Sequence, residues 1–347
     1  MDKRQDAQTI YATALRAVNQ TYEELGQAET LLPFLTSHDA PPAARFIDGA
    51  LALDPVAQGK LLWLLNKQIG DPTIRQRIGQ ILAETELTRA GVAQPESTAA
   101  ADFARDGILP LHDLVSRAEA ADILRYLEGC TNLTRQETVL HHDVRDVVRA
   151  PHVFRIATDP RILAVAARHI GAPATMVQMD AWWSLPEREK PIGAQIYHRD
   201  RDDFKSCKFF LYLSDVTTGD GPHIFVRGSH RPEGVTEALE AVGALPEKTP
   251  LFFNGNGREV AHLIDPVFGA AVMEITGGAG TCFLENTFGF HRGKVPKTGR
   301  RCIFQILYAG IPYPDRLQRW EEASLTELPQ DCATTPLARH AVRFATA

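Results

Sequence analysis

Between Gln195 and His230 the chain reads QIYHRDRDDFKSCKFFLYLSDVTTGDGPHIFVRGSH, and it opens with a histidine and an aspartate two residues apart, His198 and Asp200. Side chains of an extended strand alternate between its faces, so these two project to the same side and converge on one small object. An imidazole nitrogen and a carboxylate oxygen offered together suit a divalent metal ion. The pair alone is weak evidence. Twelve histidines with ordinary aspartate usage give about one H-x-D by accident. A second H-x-D does occur, at His141-His142-Asp143. It lies in the charged stretch HHDVRDVVR with no flanking strand, and is expected to be a solvated surface segment.

His291 supplies what the pair lacks. It follows the apolar run GTCFLENTFGF and precedes a Gly/Pro turn, GKVPKTG, that leads into RRCIFQILYA. Two histidines and one carboxylate on one face of an octahedral ion leave positions open for other ligands, the arrangement of non-haem Fe(II) oxygenases. Structural zinc would instead want thiolates or a closed tetrahedron. An arginine at the start of the last strand, Arg300 or Arg301, could pair through two hydrogen bonds with the distal carboxylate of a bound acid.

The elements that would carry these residues are short strands. From Thr175 onward, TMVQMDAWWSL, CKFFLYLSDV, HIFVRG, AVMEIT, GTCFLEN and RCIFQILYA are rich in β-branched and aromatic residues and divided by Gly, Pro, Asp and Asn clusters. With no helix-length pattern between most of them, an antiparallel jelly-roll is expected rather than a parallel sheet. Helices are expected before them. An apolar stripe runs through Ile10, Ala14, Val18, Tyr22 and Leu25, and Asp54-Pro55 and Asp71-Pro72 have the form of helix starts. Ser116 and Glu119 form a capping box for a helix to about Gly129, and Asp159, Pro160 and Gly171 bracket another. GVAQPESTAAA, from Gly91 to Ala101, has the composition of a boundary. The expected division is a helical extension over 1–98, an α+β domain over 99–330 and a tail over 331–347, with the chain after Tyr313 wrapping the outside. The segment from Arg231 to Pro266 is too long and polar for a hairpin loop and has the character of a lid over the mouth.

Composition bounds the partners. A formal net charge of −6, from 37 basic and 43 acidic residues with no long basic run, argues against nucleic acid. Five scattered cysteines form neither a disulfide framework nor a zinc motif, which fits a reducing cytoplasm. The N-terminal residues lack an apolar export segment, and no run of about 18 apolar residues occurs. A small-molecule partner in the cytoplasm is the expectation.

Taken in order, these motifs resemble the phytanoyl-CoA dioxygenase family of Fe(II)- and 2-oxoglutarate-dependent oxygenases. The resemblance runs from about Phe103 to Tyr313. It rests on FARDGILPL, the HRD at 198–200, the strand ending LSDV, DGPHIFVRGSH, GGAGTCFLENTFGFHRG and GRRCIFQILYA. It implies a double-stranded β-helix (cupin-like jelly-roll) with flanking helices, and iron held by His198, Asp200 and His291. It also implies 2-oxoglutarate bound by the iron and an arginine, and hydroxylation of a small molecule by O₂ with release of succinate and CO₂. The family pattern of an arginine leading directly into the last strand, with an aromatic seven positions on, selects Arg301 with Tyr308; Arg300 stays open because one turn residue exchanges the two faces. The chain departs from the pattern at Arg227, where the family commonly has proline, and in its helical N-terminal extension. Asp200 occupies the position that related halogenases give to a small residue, so hydroxylation is the implied outcome.

Other residues admit two readings. Gln178 could reach 2-oxoglutarate or substrate, or be satisfied on its own strand. Arg199, Arg201 and Lys208 would suit an anionic substrate or form a solvated rim. Trp182, Trp183, Phe288 and Phe290 are expected in the core, and His223 and His230 as hydrogen-bonded structural histidines. Two further classes compete: a cupin-like metal enzyme needing no cosubstrate, and a non-catalytic binding scaffold on the same barrel.

Overall fold

The computed structural model describes residue 66 and residues 70–186, 189–310, 323, 325–329 and 332–345. The helices expected over Ile10–Leu25 and after Asp54, and part of the tail after Tyr313, lie outside the described residues.

Where capping signals stand in the sequence, helices start. α1 (Pro72–Ala90) begins at the Asp71-Pro72 signal, and α2 (Ala100–Asp106) ends at Gly107, whose φ of 77° only glycine adopts without strain. α3 (Arg117–Glu128) carries the expected capping box, with Ser116 Oγ accepting from the Glu119 amide and Glu119 Oε2 accepting from the Ser116 amide. In α4 (Pro160–Ile170) the Asp159 carboxylate accepts from the Arg161 amide, and Gly171 closes the end in the left-handed conformation. α5 (Pro232–Ala241) and α6 (Pro336–Ala341) follow later in the chain.

The strands are β1 (Ile108–Pro110), β2 (Leu133–Gln136), β3 (Val139–His142), β4 (Thr175–Ser184), β5 (Ser206–Tyr212), β6 (His223–Val226), β7 (Val272–Ile275), β8 (Cys282–Glu285), β9 (His291–Gly293) and β10 (Arg301–Ala309). They form a seven-stranded sheet in the order β1-β8-β5-β10-β4-β3-β2 and a three-stranded sheet in the order β7-β6-β9. Every pairing is antiparallel. The expected antiparallel architecture is therefore present, and β10, buried along its whole length between β4 and β5, is its centre.

Alternation along β10 separates two apolar clusters. Cys302, Phe304, Ile306 and Tyr308 turn outward onto the helices, in a cluster that includes Ile162, Val165 and Ile170 of α4, and to which Ala83 of α1 and Ala338 of α6 also belong. Ile303 turns inward to meet Phe210, Tyr212 and Phe283 of the large sheet and Phe225 of the small one. Each such buried aromatic contributes about 1.5–3 kcal/mol relative to exposure. The inner cluster binds the sheets face to face.

Two expectations need correction. His141-His142-Asp143 is no solvated segment: His141 and His142 lie in β3, paired with both β2 and β4, and Asp143 caps the helical turn that follows. The charged residues after it masked the strand signal of VLHH. The 231–266 segment, expected as a polar lid, is mainly α5 and tight helical turns with a core of its own. Its Val235, Leu239, Phe252 and Ile264 cover the outer face of the small sheet at Ile224, Val226 and Phe290.

Candidate metal centre

His198 lies outside any regular strand, yet its backbone joins the small sheet. Its amide donates to the His291 carbonyl at 3.1 Å, and the His291 amide donates back to the His198 carbonyl at 3.0 Å. This reciprocal bridge adds one paired residue beyond β9 and sets the two imidazoles 4.3 Å apart, centroid to centroid. The Asp200 amide is fixed in turn by the Thr287 carbonyl at 2.8 Å. One donor atom from each of His198, Asp200 and His291 lies within 4.8 Å of the others, so together they could hold a metal ion.

Hydrogen bonding at the far ring nitrogens tells which nitrogens are offered. His198 Nδ1 is 2.9 Å from the Ile196 carbonyl and His291 Nδ1 is 3.0 Å from the Gly289 carbonyl. A carbonyl only accepts, so each Nδ1 carries the proton and each Nε2 presents a lone pair, the tautomer a metal ligand requires. Asp200 lies near both Nε2 atoms, Oδ1 at 3.6 Å from His198 and Oδ2 at 3.4 Å from His291. Burial, then the neighbouring His291, pushes the His198 pKa down to about 4. His291 moves the other way, because Asp200 and Glu285 outweigh the effect of its burial. Burial alone would raise Asp200, but Lys208 and the two imidazoles hold it well below the usual carboxylate range. The site is set for a deprotonated carboxylate between two imidazoles.

His198 and Asp200 open onto a cavity of about 590 Å³ lined also by Ala194, Arg199, Arg201, Asp202, Gly255, Asn256 and Arg258. Gly255, Asn256 and Arg258 come from the 231–266 segment, which thus forms one wall of the mouth while its apolar face packs away from it. Arg199 borders the same cavity, but its guanidinium is buried, donates to the Phe252 and Phe288 carbonyls and is packed against the rings of Phe253 and Phe290. Of its two readings the solvated rim is corrected by that burial, and its bonds commit the guanidinium to backbone. Lys208, read as a contact for an anionic substrate or part of a solvated rim, projects inward from β5 alongside Phe210 and Tyr212 and reaches Asp200 Oδ2 at 2.5 Å and Asp202 Oδ2 at 2.8 Å.

Arg300 and Arg301 are separated by the same parity. Arg300 is exposed and packs over the Trp183 ring, with Glu128 3.9 Å away. Arg301 is buried between the sheets, donating to the Gly221 carbonyl at 2.5 Å and to Ser184 Oγ at 3.2 Å, with the Tyr212 hydroxyl beside it. Its Nε has no partner, and no carboxylate among the described residues pairs with it. A side chain at Gly293 of β9 would approach its Nη2 to 3.1 Å, which places the guanidinium two residues along the strand from His291. Tyr308 does not accompany it. Seven positions is an odd number, so Tyr308 faces the helices and its hydroxyl donates to the Ala157 carbonyl at 2.7 Å. Tyr212 stands where Tyr308 was expected.

Gln178 lies on the inward face of β4 and donates to Asp180, which also accepts from Gln305 at 3.1 Å. His223 and His230 are hydrogen-bonded, His223 to Glu285 at 2.7 Å and His230 to the Ala104 carbonyl at 2.9 Å. Glu285 was missed by the sequence reading. It is fully buried in register opposite Lys208, and its Oε1 lies 3.8 Å from His291 Nδ1. The signal was the alternation in CFLE, which puts 283 and 285 on the same inward face.

No protein-family model and no curated protein matches the chain. Among solved structures it is similar to EctD from S. alaskensis with bound Fe, at 18% identity over 62% of this chain and 77% of that one, with a TM-score of 0.43. It is similar to the epimerase SnoN in complex with Fe3+, alpha ketoglutarate and nogalamycin RO, at 17% identity over 67% and 89% and a TM-score of 0.44. HygX from Streptomyces hygroscopicus, with nickel, 2-oxoglutarate and hygromycin B bound, matches at 20% identity over 62% and 87% and a TM-score of 0.41. What the fold and the site themselves define is an antiparallel two-sheet protein with a His-Asp-His cluster able to hold a metal ion. No helix among the described residues is long and apolar enough to cross a membrane.

Proposed function

We propose that this protein is an Fe(II)- and 2-oxoglutarate-dependent dioxygenase of the double-stranded β-helix kind, hydroxylating a small molecule. The observation that carries the reading is the convergence of two imidazole nitrogens and one carboxylate, together with a buried arginine that lacks a carboxylate partner and lies beside Gly293, two residues along β9 from His291. Two nitrogens and one oxygen match Fe(II), and leave coordination positions for a chelating oxo-acid and for O₂. A buried guanidinium with an unsatisfied Nε is costly unless an anion completes it, so Arg301 fits the distal carboxylate of 2-oxoglutarate.

Iron, 2-oxoglutarate and O₂ would supply the oxidising power: one oxygen atom goes to the substrate as hydroxyl, the other to succinate, and CO₂ leaves. The chain's own residues bind, orient and exclude water. His198, Asp200 and His291 hold the metal; Arg301 and Ser184 hold the distal carboxylate beside Tyr212; Gln178 is the further candidate contact on the same inward face. Phe210, Phe283 and Ile303 keep water from the interior. At the mouth Arg201 and Arg258 face the cavity, which suits an anionic substrate.

The test is anaerobic addition of Fe(II) and 2-oxoglutarate, watching for the visible metal-to-ligand charge-transfer band. A band in the parent that His198→Ala abolishes supports the reading. Absence of the band, with His198→Ala behaving like the parent, ends it. Succinate release across a set of small acids would then define the substrate.

A further inference from the structure

Asp200 has two oxygens, and they are not equivalent. Oδ2 lies 2.5 Å from the Lys208 ammonium and 3.4 Å from His291 Nε2, whereas Oδ1 lies 3.6 Å from His198 Nε2. Lys208 is itself held from a second side by Asp202 Oδ2 at 2.8 Å. These side chains are largely enclosed, with 11% of Lys208, 24% of Asp200 and 14% of Asp202 exposed. The lysine arrives by the alternation of β5, which turns 208, 210 and 212 inward beneath the His-Asp-His cluster.

The number of oxygens Asp200 gives to a metal decides what else can bind. Two imidazoles and one oxygen leave three positions of a six-coordinate ion, and both carboxylate oxygens would leave two. A chelating oxo-acid and O₂ together need three. We propose that Lys208, anchored by Asp202, is a positioning residue that occupies Asp200 Oδ2 and so restricts ligation to Oδ1. This rests on the dioxygenase reading above. Lys208 touches neither substrate nor cosubstrate in this role. It keeps a coordination position vacant by holding one oxygen of a ligand away from the ion.

Removing the ammonium separates metal binding from cosubstrate binding. In Lys208→Met the freed Oδ2 can join Oδ1 on the ion, and a cation that repels the metal is gone. Mn(II), followed by electron paramagnetic resonance on the full chain, should bind as tightly as in the parent or more tightly. 2-Oxoglutarate added anaerobically to the Mn(II)-loaded protein, followed by calorimetry, should bind at least about tenfold more weakly. Asp202→Asn, which leaves the lysine in place but weakens its anchor, should fall between the two and serves if Lys208→Met does not fold. Unchanged 2-oxoglutarate affinity in the variants overturns the proposal, as does a loss of Mn(II) affinity that parallels the loss of 2-oxoglutarate. A parent that binds Mn(II) but no 2-oxoglutarate overturns the dioxygenase reading, and the proposal with it. That outcome is recognised from the parent alone.

Discussion

His198 and His291 are joined through their backbones, each amide donating to the other's carbonyl at 3.1 and 3.0 Å, while their rings meet side by side at 4.3 Å. The scaffold of the site thus does not depend on the ligating side chains. His291→Ala should therefore abolish metal binding, by about a hundredfold or more on the scale of losing a ligand, yet leave the far-ultraviolet dichroism unchanged. Mn(II) titration of the variant checks the first part. A variant that unfolds would show instead that the imidazole also carries the packing.

Arg301 and Arg300 are neighbours with opposite fates, and their alanine variants should differ accordingly. Losing the paired hydrogen bonds of a buried guanidinium to a carboxylate is worth about 1.5–3 kcal/mol, or roughly 10–100-fold in affinity. Arg301→Ala should raise the 2-oxoglutarate dissociation constant by that factor, and Arg300→Ala should leave it within about twofold. Equal effects of the two would refute the assignment.

How far the site can be read from sequence turns on parity. His291 was legible at the end of a turn-bounded apolar run, whereas His198 and Asp200, expected on a strand, lie outside one, with His198 joined to β9 by a single bridge. The capping signals at Ser116 and Asp159 marked helix starts to the residue. Lys208 and Tyr308 were misplaced because the face a strand residue shows depends on a register that single residues of turn can invert. The buried Glu285–His223 pair was hidden for a different reason. Nothing in composition signals that a charge inside an apolar strand will find its partner on the facing sheet.

Arg199 should matter to stability. Its guanidinium is buried, donates to two carbonyls and lies 4.3 and 3.9 Å from the Phe253 and Phe290 ring centroids. Arg199→Met removes the charge-assisted bonds and leaves the Phe252 and Phe288 carbonyls without their donor, a cost of about 2–4 kcal/mol. Urea denaturation measures it. A change below about 0.5 kcal/mol would mean that the carbonyls find other donors.

Acidification should weaken the fold through His169 and His230. Burial is the main cause of both shifts, pushing His169 down to about 3 and His230 to about 4. In the unfolded chain both titrate near 6.5. Between about pH 6.5 and 4 the unfolded state binds more protons than the folded one, so stability falls as pH falls, by up to about 1.4 kcal/mol per pH unit for each histidine. Above pH 6.5 neither contributes a slope. Denaturation midpoints at pH 7 and 5, compared between the parent and His169→Gln, test this: the variant should lose less on acidification.

The separate apolar core of the 231–266 segment has an evolutionary consequence. Phe252, Val260 and Ile264 anchor it to the outside of the small sheet, whereas Gly255, Asn256 and Arg258 reach the mouth. The wall of the mouth and the ligands are nonetheless tied through main chain, because the Arg199 amide between His198 and Asp200 donates to the Asn256 carbonyl at 2.8 Å and its guanidinium to the Phe252 carbonyl. Selection can therefore exchange the side chains of the wall, while the backbone at 252 and 256 stays bound to the segment that carries His198 and Asp200.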